Sequence, residues 1–112
     1  MLKNNFNQFY KQFSENLPRS LERTNNLLNE IGKPQNKIKN IIHIAGTNGK
    51  GSILSYIKSC LTMNNLKVNA FTSPHLVRIN ERILINNHIV EDDILEKTID
   101  KLFQYSNNRN IA

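Results

Sequence analysis

The stretch Ile41-Ile42-His43-Ile44-Ala45-Gly46-Thr47-Asn48-Gly49-Lys50-Gly51-Ser52 decides how this chain is read. An apolar run ends in a glycine-rich turn with one lysine, and a helical pattern follows. Consecutive backbone N–H groups in such a turn converge on one anion, and the helix adds its positive end. Glycine lets the backbone approach phosphate closely, because no Cβ intervenes. Lys50 supplies a mobile cation, while Thr47 and Ser52 supply hydroxyls. The common phosphate loop is G-x-x-x-x-G-K-[ST]. Here Ile44 stands at the first glycine position, and Gly51 separates Lys50 from Ser52. The alternative is a strand-to-helix turn with an incidental lysine. Three glycines within Gly46–Gly51 and a Lys-Gly-Ser helix start favour a nucleotide-phosphate cradle.

Outward from that turn, the pattern predicts a βαβ unit. Ile38 to Ala45 reads as a strand covered on both faces, as in a parallel sheet. His43 interrupts it, as an interior histidine or a supporting polar group. Ile53, Leu54, Ile57, Cys60, Leu61 and Met63 mark a helix face. Asn64-Asn65 stops the helix, and Leu66 to Phe71 reads as a second strand. A right-handed crossover then places ligands beyond the strands' carboxyl ends, near Thr72-Ser73-Pro74-His75.

Upstream, Phe6, Phe9, Tyr10 and Phe13 form one face of a helix over residues 3–16, closed by Pro18. Ser20 caps a second helix lined by Leu21, Thr24, Leu27, Leu28 and Ile31. Gly32 and Pro34 end it, and Gln35 to Lys39 form a polar loop. Downstream, Arg78 to Glu81 is a loop. Arg82 to Ile85 and Ile89-Val90 flank the turn Asn86-Asn87-His88 in a hairpin. Glu91-Asp92-Asp93 suits a helix start better than a metal site. Ile94, Leu95, Thr98, Ile99, Leu102 and Phe103 carry that helix's apolar face. The tail Tyr105 to Ala112 has no clear pattern.

The expected fold class is α/β: a partial P-loop-type parallel sheet with N-terminal helices, a short hairpin and a C-terminal helix. Its parts are a helical lead-in over 1–37, the phosphate-loop βαβ over 38–73, and loop, hairpin and helix over 74–112.

Length and composition set limits. The 112 residues, 38% hydrophobic and 21% charged, suffice for one modest folded domain. No run of about 18 apolar residues spans a membrane, and Met1 to Phe6 lacks an apolar signal core. Cys60 is the only cysteine, so no disulfide framework forms, and a small core residue is the expected role. These points lead to a cytoplasmic expectation. The net charge of +6 is scattered from Lys3 to Arg109, which does not indicate nucleic-acid binding. Asparagine pairs recur at 25–26, 64–65, 86–87 and 107–108, a pattern attributed to base composition of the gene.

Taken together, Ala45-Gly46-Thr47-Asn48-Gly49-Lys50-Gly51-Ser52, Ser73-Pro74-His75-Leu76 and Glu81-Arg82 resemble the N-terminal part of the folylpolyglutamate synthase/dihydrofolate synthase family of Mur-type ligases. Ser20-Leu21-Glu22-Arg23 and Gly32-Lys33-Pro34 are similar in order and spacing. The resemblance runs from about Leu17 to Ile99 and implies an ATP- and Mg²⁺-dependent reaction. ATP phosphorylates a carboxylate of folate (or of dihydropteroate), and the amine of L-glutamate displaces phosphate. By resemblance, Gly46, Thr47, Asn48, Gly49, Lys50, Gly51 and Ser52 wrap the ATP phosphates. Lys50 is the catalytic cation and Ser73 a Mg²⁺ ligand. Pro74, His75 and Arg82 border the folate-like substrate. Leu17-Pro18-Arg19 stands at a pterin-contacting segment, with Pro18 and Ser20 replacing the family's acidic and glycine residues.

Family members are several times longer. Their second Mg²⁺ carboxylate, metal-binding histidine, modified lysine and glutamate-binding domain have no counterparts here. Asp92, Asp93 and His88 do not stand at matching positions. The chain therefore reads as the front of a ligase, inactive alone and marginally stable, with the remaining C-terminal part as a partner. A nucleotide-binding module without chemistry, or a decayed gene remnant, is the alternative.

Overall fold

A computed structural model describes residues 21–107 of the chain. The helix expected over 3–16 and the Ser20 cap lie outside those residues. The chain divides into two compact units, one built from the segments on either side of residues 42–91 and one from 42–91 itself.

In the first unit, helix α1 (Leu21–Glu30) packs on the C-terminal helix, Asp92–Asn107. Leu27, Leu28 and Ile31 are half-buried, as their spacing requires. The end of α1 is a Schellman turn. Lys33 N–H donates to Leu28 O at 2.7 Å, and Gly32 N–H to Asn29 O at 3.2 Å. Gly32 takes the left-handed conformation, φ 86°, that this turn demands. Pro34–Lys37 then forms a 3₁₀ turn where a polar loop is expected, because proline presets the φ of a first helical residue.

The C-terminal helix carries Asp92 and Asp93 in its first turn, where its dipole favours them. Asp93 pairs with Lys97 at 3.8 Å. Leu95 and Ile99 are buried, with Leu102 and Phe103 half-buried beyond them. Ile94 and Thr98, assigned to the same face by spacing, are exposed; the Thr98 hydroxyl donates back to Ile94 O at 2.8 Å. The helix continues to Asn107, through the start of the segment read as patternless.

In the second unit, helix α2 (Lys50–Met63) follows the glycine turn. A second Schellman turn closes it: Leu66 N–H donates to Leu61 O at 3.1 Å and Asn65 N–H to Thr62 O at 2.9 Å. Asn65, at φ 60°, takes the place usually held by glycine. The sheet is small and antiparallel, in the order β1 (Ala70–Phe71), β2 (Ile83–Ile85), β3 (His88–Ile89). Ala70 faces Leu84, and Leu84 faces Ile89. Asn86 and Asn87 both have positive φ, 50° and 71°, so they form the two-residue turn and His88 begins the strand.

The parallel sheet is where expectation and structure part. Residues 41–46 belong to no strand, and Ile41 and Ile42 are 70% and 60% exposed. The strand expected over Leu66–Phe71 shortens to two residues and pairs antiparallel with β2. An apolar run states that cover is needed; a strand needs a hydrogen-bonded neighbour as well. Among the described residues none pairs with 41–46 as a strand, and no parallel pair forms. The described architecture is therefore mixed helix with a small antiparallel sheet. His43 and Cys60 are exposed rather than interior, because the cover that their apolar neighbours imply is not supplied by residues 42–91.

Candidate functional site

The glycine turn leads directly into α2, as the sequence requires of a phosphate cradle. Gly49 caps the helix in the left-handed conformation, φ 75° and ψ 2°, which a side chain disfavours. Gly46 also has positive φ, and its carbonyl accepts a hydrogen bond from Lys50 Nζ. The lysine thus folds back over its own turn. Ile53 N–H donates to Gly49 O at 3.0 Å and starts the helical ladder. Thr47, Asn48, Gly51 and Ser52 are exposed, so the turn is open to a ligand. The first amides of a helix lack intrahelical acceptors, which suits them to an anion.

Ser73, Pro74 and His75 leave the end of β1, in the same compact unit as the turn. The Ser73–Pro74 peptide is cis. His75 and Arg82 come together: Arg82 Nε donates to His75 Nδ1 at 2.8 Å. That bond assigns the imidazole's proton to Nε2. Thr72 N–H donates to Arg82 O at 2.8 Å, tying the start of the loop to its end. Asn80 is buried and its Nδ2 donates to Val90 O at 3.0 Å, anchoring the Ile79–Arg82 turn on the hairpin.

Glu81 has no role in the sequence reading beyond its place in the motif, yet it is the loop's busiest acceptor. Oε2 accepts from Leu76 N–H at 2.9 Å; Oε1 accepts from Val77 and Arg78 N–H at 3.1 and 2.8 Å. The bonds from Leu76 and Arg78 hold its carboxyl below the ordinary carboxylate value. A single acidic residue gives no sequence signal for such a role, because its partners are backbone amides.

Among the described residues, no three His, Cys, Asp or Glu side chains gather as a metal site. The Ser73 hydroxyl is a hard oxygen of the kind Mg²⁺ accepts, and Mg²⁺ commonly takes few protein ligands alongside phosphate and water. One serine therefore fits an ion that arrives with a nucleotide.

No protein-family model matches the chain. Individual relatives do. It is 46% identical over 67 residues to the dihydrofolate synthetase of Saccharomyces cerevisiae, covering 60% of this chain and 16% of the yeast protein. It is 41% identical over 73 residues to the dihydrofolate synthase/folylpolyglutamate synthase of Bacillus subtilis, covering 65% and 17%. The solved folylpolyglutamate synthetase from Lactobacillus casei superposes with a TM-score of 0.79 at 31% identity, over 95% of this chain and 27% of that one.

The chain is a relative of the folylpolyglutamate and dihydrofolate synthases. It spans about a sixth of the length of these two curated synthases.

Proposed function

We propose that this chain supplies the nucleotide-phosphate grip of an ATP-dependent ligase that adds L-glutamate to folates. The supporting observation is the glycine turn: Gly49 in a left-handed cap, Lys50 folded across the turn, and an exposed helix start, in a chain whose relatives are folate synthases. In this reading the γ-phosphoryl group of ATP passes to a folate (or dihydropteroate) carboxylate, giving an acyl phosphate and ADP. The glutamate amine then attacks the acyl carbon, the C–O bond to phosphate breaks, and an amide forms.

The chain's own residues serve the first step. The amides of Thr47 to Lys50 hold phosphate oxygens, and Gly51 and Ser52 complete the turn. Lys50 gives up the Gly46 carbonyl and neutralises charge that grows on the transferred group. Ser73 is the residue that would hold Mg²⁺, which supplies charge neutralisation on the phosphates. Pro74, His75 and Arg82 border the acceptor. The Arg82–His75 bond leaves the imidazole Nε2–H as a donor toward it.

In this reading the remaining ligase functions come from residues outside these 112; the chain matches about a sixth of the length of two curated synthases. The isolated chain is expected to bind ATP and not to ligate glutamate. Calorimetry of ATP with the wild-type chain and Lys50→Ala tests the grip. A loss of about tenfold or more is expected for a charge-assisted phosphate contact. Equal affinity in both removes Lys50 from the site. ATP binding without any complementation by the rest of a ligase would instead favour a nucleotide-binding module.

A further inference from the structure

Residues 72–82 form a loop whose base, flank and crest are all fastened to the dipeptide Glu81-Arg82. At the base, Thr72 N–H donates to Arg82 O at 2.8 Å, and the Thr72 hydroxyl reaches Glu81 O at 3.5 Å. On the flank, Arg82 Nε holds His75 Nδ1 at 2.8 Å. At the crest, three successive amides, of Leu76, Val77 and Arg78, donate to the Glu81 carboxylate. Ser73 therefore has an anchored residue before it, Thr72, and an anchored run after it, beginning at His75.

The crest has no apolar packing to hold it. Leu76 and Val77 are 93% and 82% exposed, so the side chains that would ordinarily bury a turn point to water. What fixes the crest is the carboxylate, which is acceptor-only and has lone pairs enough for all three amides. Glutamine at this position has one acceptor oxygen, and its NH₂ opposes an amide N–H. Alanine has no acceptor. These substitutions grade the loss.

We propose that Glu81 is a positioning residue: its carboxylate sets the conformation of the loop that carries Ser73, and through it the place where the Ser73 hydroxyl meets a bound nucleotide. The purpose assigned to Ser73 rests on the function proposed above; the anchoring rests on the hydrogen bonds alone.

Two measurements on the full 112-residue chain test this. The first is amide hydrogen exchange of wild type, Glu81→Gln and Glu81→Ala. Exchange at Leu76, Val77 and Arg78 is expected to speed up by about tenfold or more in Glu81→Ala, with Glu81→Gln between, while amides 83–90 stay unchanged. Unchanged exchange at 76–78 in either variant overturns the proposal. If Glu81→Ala fails to fold, Glu81→Gln decides by the same criterion. The second is ATP calorimetry with Mg²⁺ and with EDTA, using Ser73→Ala as the benchmark. Glu81→Gln is expected to lose most of the affinity that Mg²⁺ adds and to keep the affinity measured in EDTA. If Ser73→Ala loses that increment and Glu81→Gln retains it, Glu81 does not position Ser73. If wild type binds no ATP at all, the proposed function falls, while the exchange result still decides whether Glu81 anchors the loop.

Discussion

Residues 66–91 and residues 42–63 belong to one compact unit and are held in opposite ways. The first is stitched by polar bonds between segments distant in sequence. Asn87 alone takes part in four: its N–H donates to Val68 O, its Oδ1 accepts from Val68 N–H and the Thr62 hydroxyl, and its Nδ2 donates to Leu66 O. Asn69 Oδ1 accepts from Asn86 N–H at 2.9 Å, and Val90 N–H returns to Ile83 O at 3.0 Å. The second region has a well-formed helix with nothing buried. Met63 is 83% exposed, and Ile53 and Tyr56 are exposed with it. A helix of this length draws most of its stability from the face it buries, not from its own ladder. Both regions leave apolar side chains exposed, Phe71, Leu76 and Val77 in the first as much as Met63 in the second. The comparison therefore separates a region cross-linked by polar bonds from one held mainly by its own helical ladder.

The largest expected consequence is in hydrogen exchange. Amides 83–90 should be protected more strongly than amides 54–63, by about a hundredfold, because opening the helix uncovers the half-buried Leu54, Ile57 and Leu61 but no fully buried side chain. Equal protection would mean that α2 is held by something other than its own ladder. It would also count against marginal stability of the isolated chain.

Next, Asn87→Ala removes a left-handed residue and a side chain bonded to Val68 and Leu66. It is expected to cost about 2 kcal/mol in urea unfolding. Asn87→Gly keeps the turn and loses only the side-chain bonds, so about 1 kcal/mol is expected. If the two substitutions cost the same, turn conformation is not what holds the hairpin tip.

Acid sharpens the comparison further. The Leu76 and Arg78 amides lower the Glu81 carboxyl in the folded chain below its ordinary value of 4.5. A depressed carboxylate contributes stability that is fully present above the unfolded value and is lost as pH falls through the folded one. The crest of the 72–82 loop should therefore begin to loosen as pH falls below about 4.5, ahead of the hairpin, and the advantage of glutamate over glutamine should vanish once pH is below the lowered folded value. Exchange rates at 76–78 across pH, corrected for intrinsic chemistry, check this.

The smallest effect is at the first unit's surface. Asp93→Ala breaks an exposed i, i+4 pair with Lys97 and removes one charge from a helix start. About 0.5 kcal/mol is expected.

The same contrast explains what the sequence disclosed. Gly32 and Asn64-Asn65 mark helix ends because left-handed residues are few and their identities are narrow. Asn86-Asn87 marks the hairpin for the same reason. The glycine turn is legible because Gly49 must turn left-handed at the helix start. These are local constraints. The partner of a strand is not local: Ile41-Ile42 advertises an apolar strand, and nothing in its own residues says where the neighbour lies. Phe71 and Ala70 were equally silent about pairing antiparallel with Ile83 and Leu84. Cys60 and His43 lie in apolar stretches that imply cover for the same reason, and both are exposed. The anchoring role of Glu81, beyond its place in the motif, is not legible in the sequence because its partners are backbone amides. Of the asparagine pairs attributed to base composition, Asn65 caps a helix and Asn86 and Asn87 form and stitch the hairpin turn.

The central claim is that the glycine turn grips the phosphates of ATP, and the most direct measurement is an amide-resolved NMR titration of the 112-residue chain with Mg²⁺-ATP. Saturable shifts concentrated at Gly46 to Ser52, with a second set at Ser73 and His75, are the expected result. Absence of saturable shifts at 46–52, or shifts confined to the first unit, would contradict it.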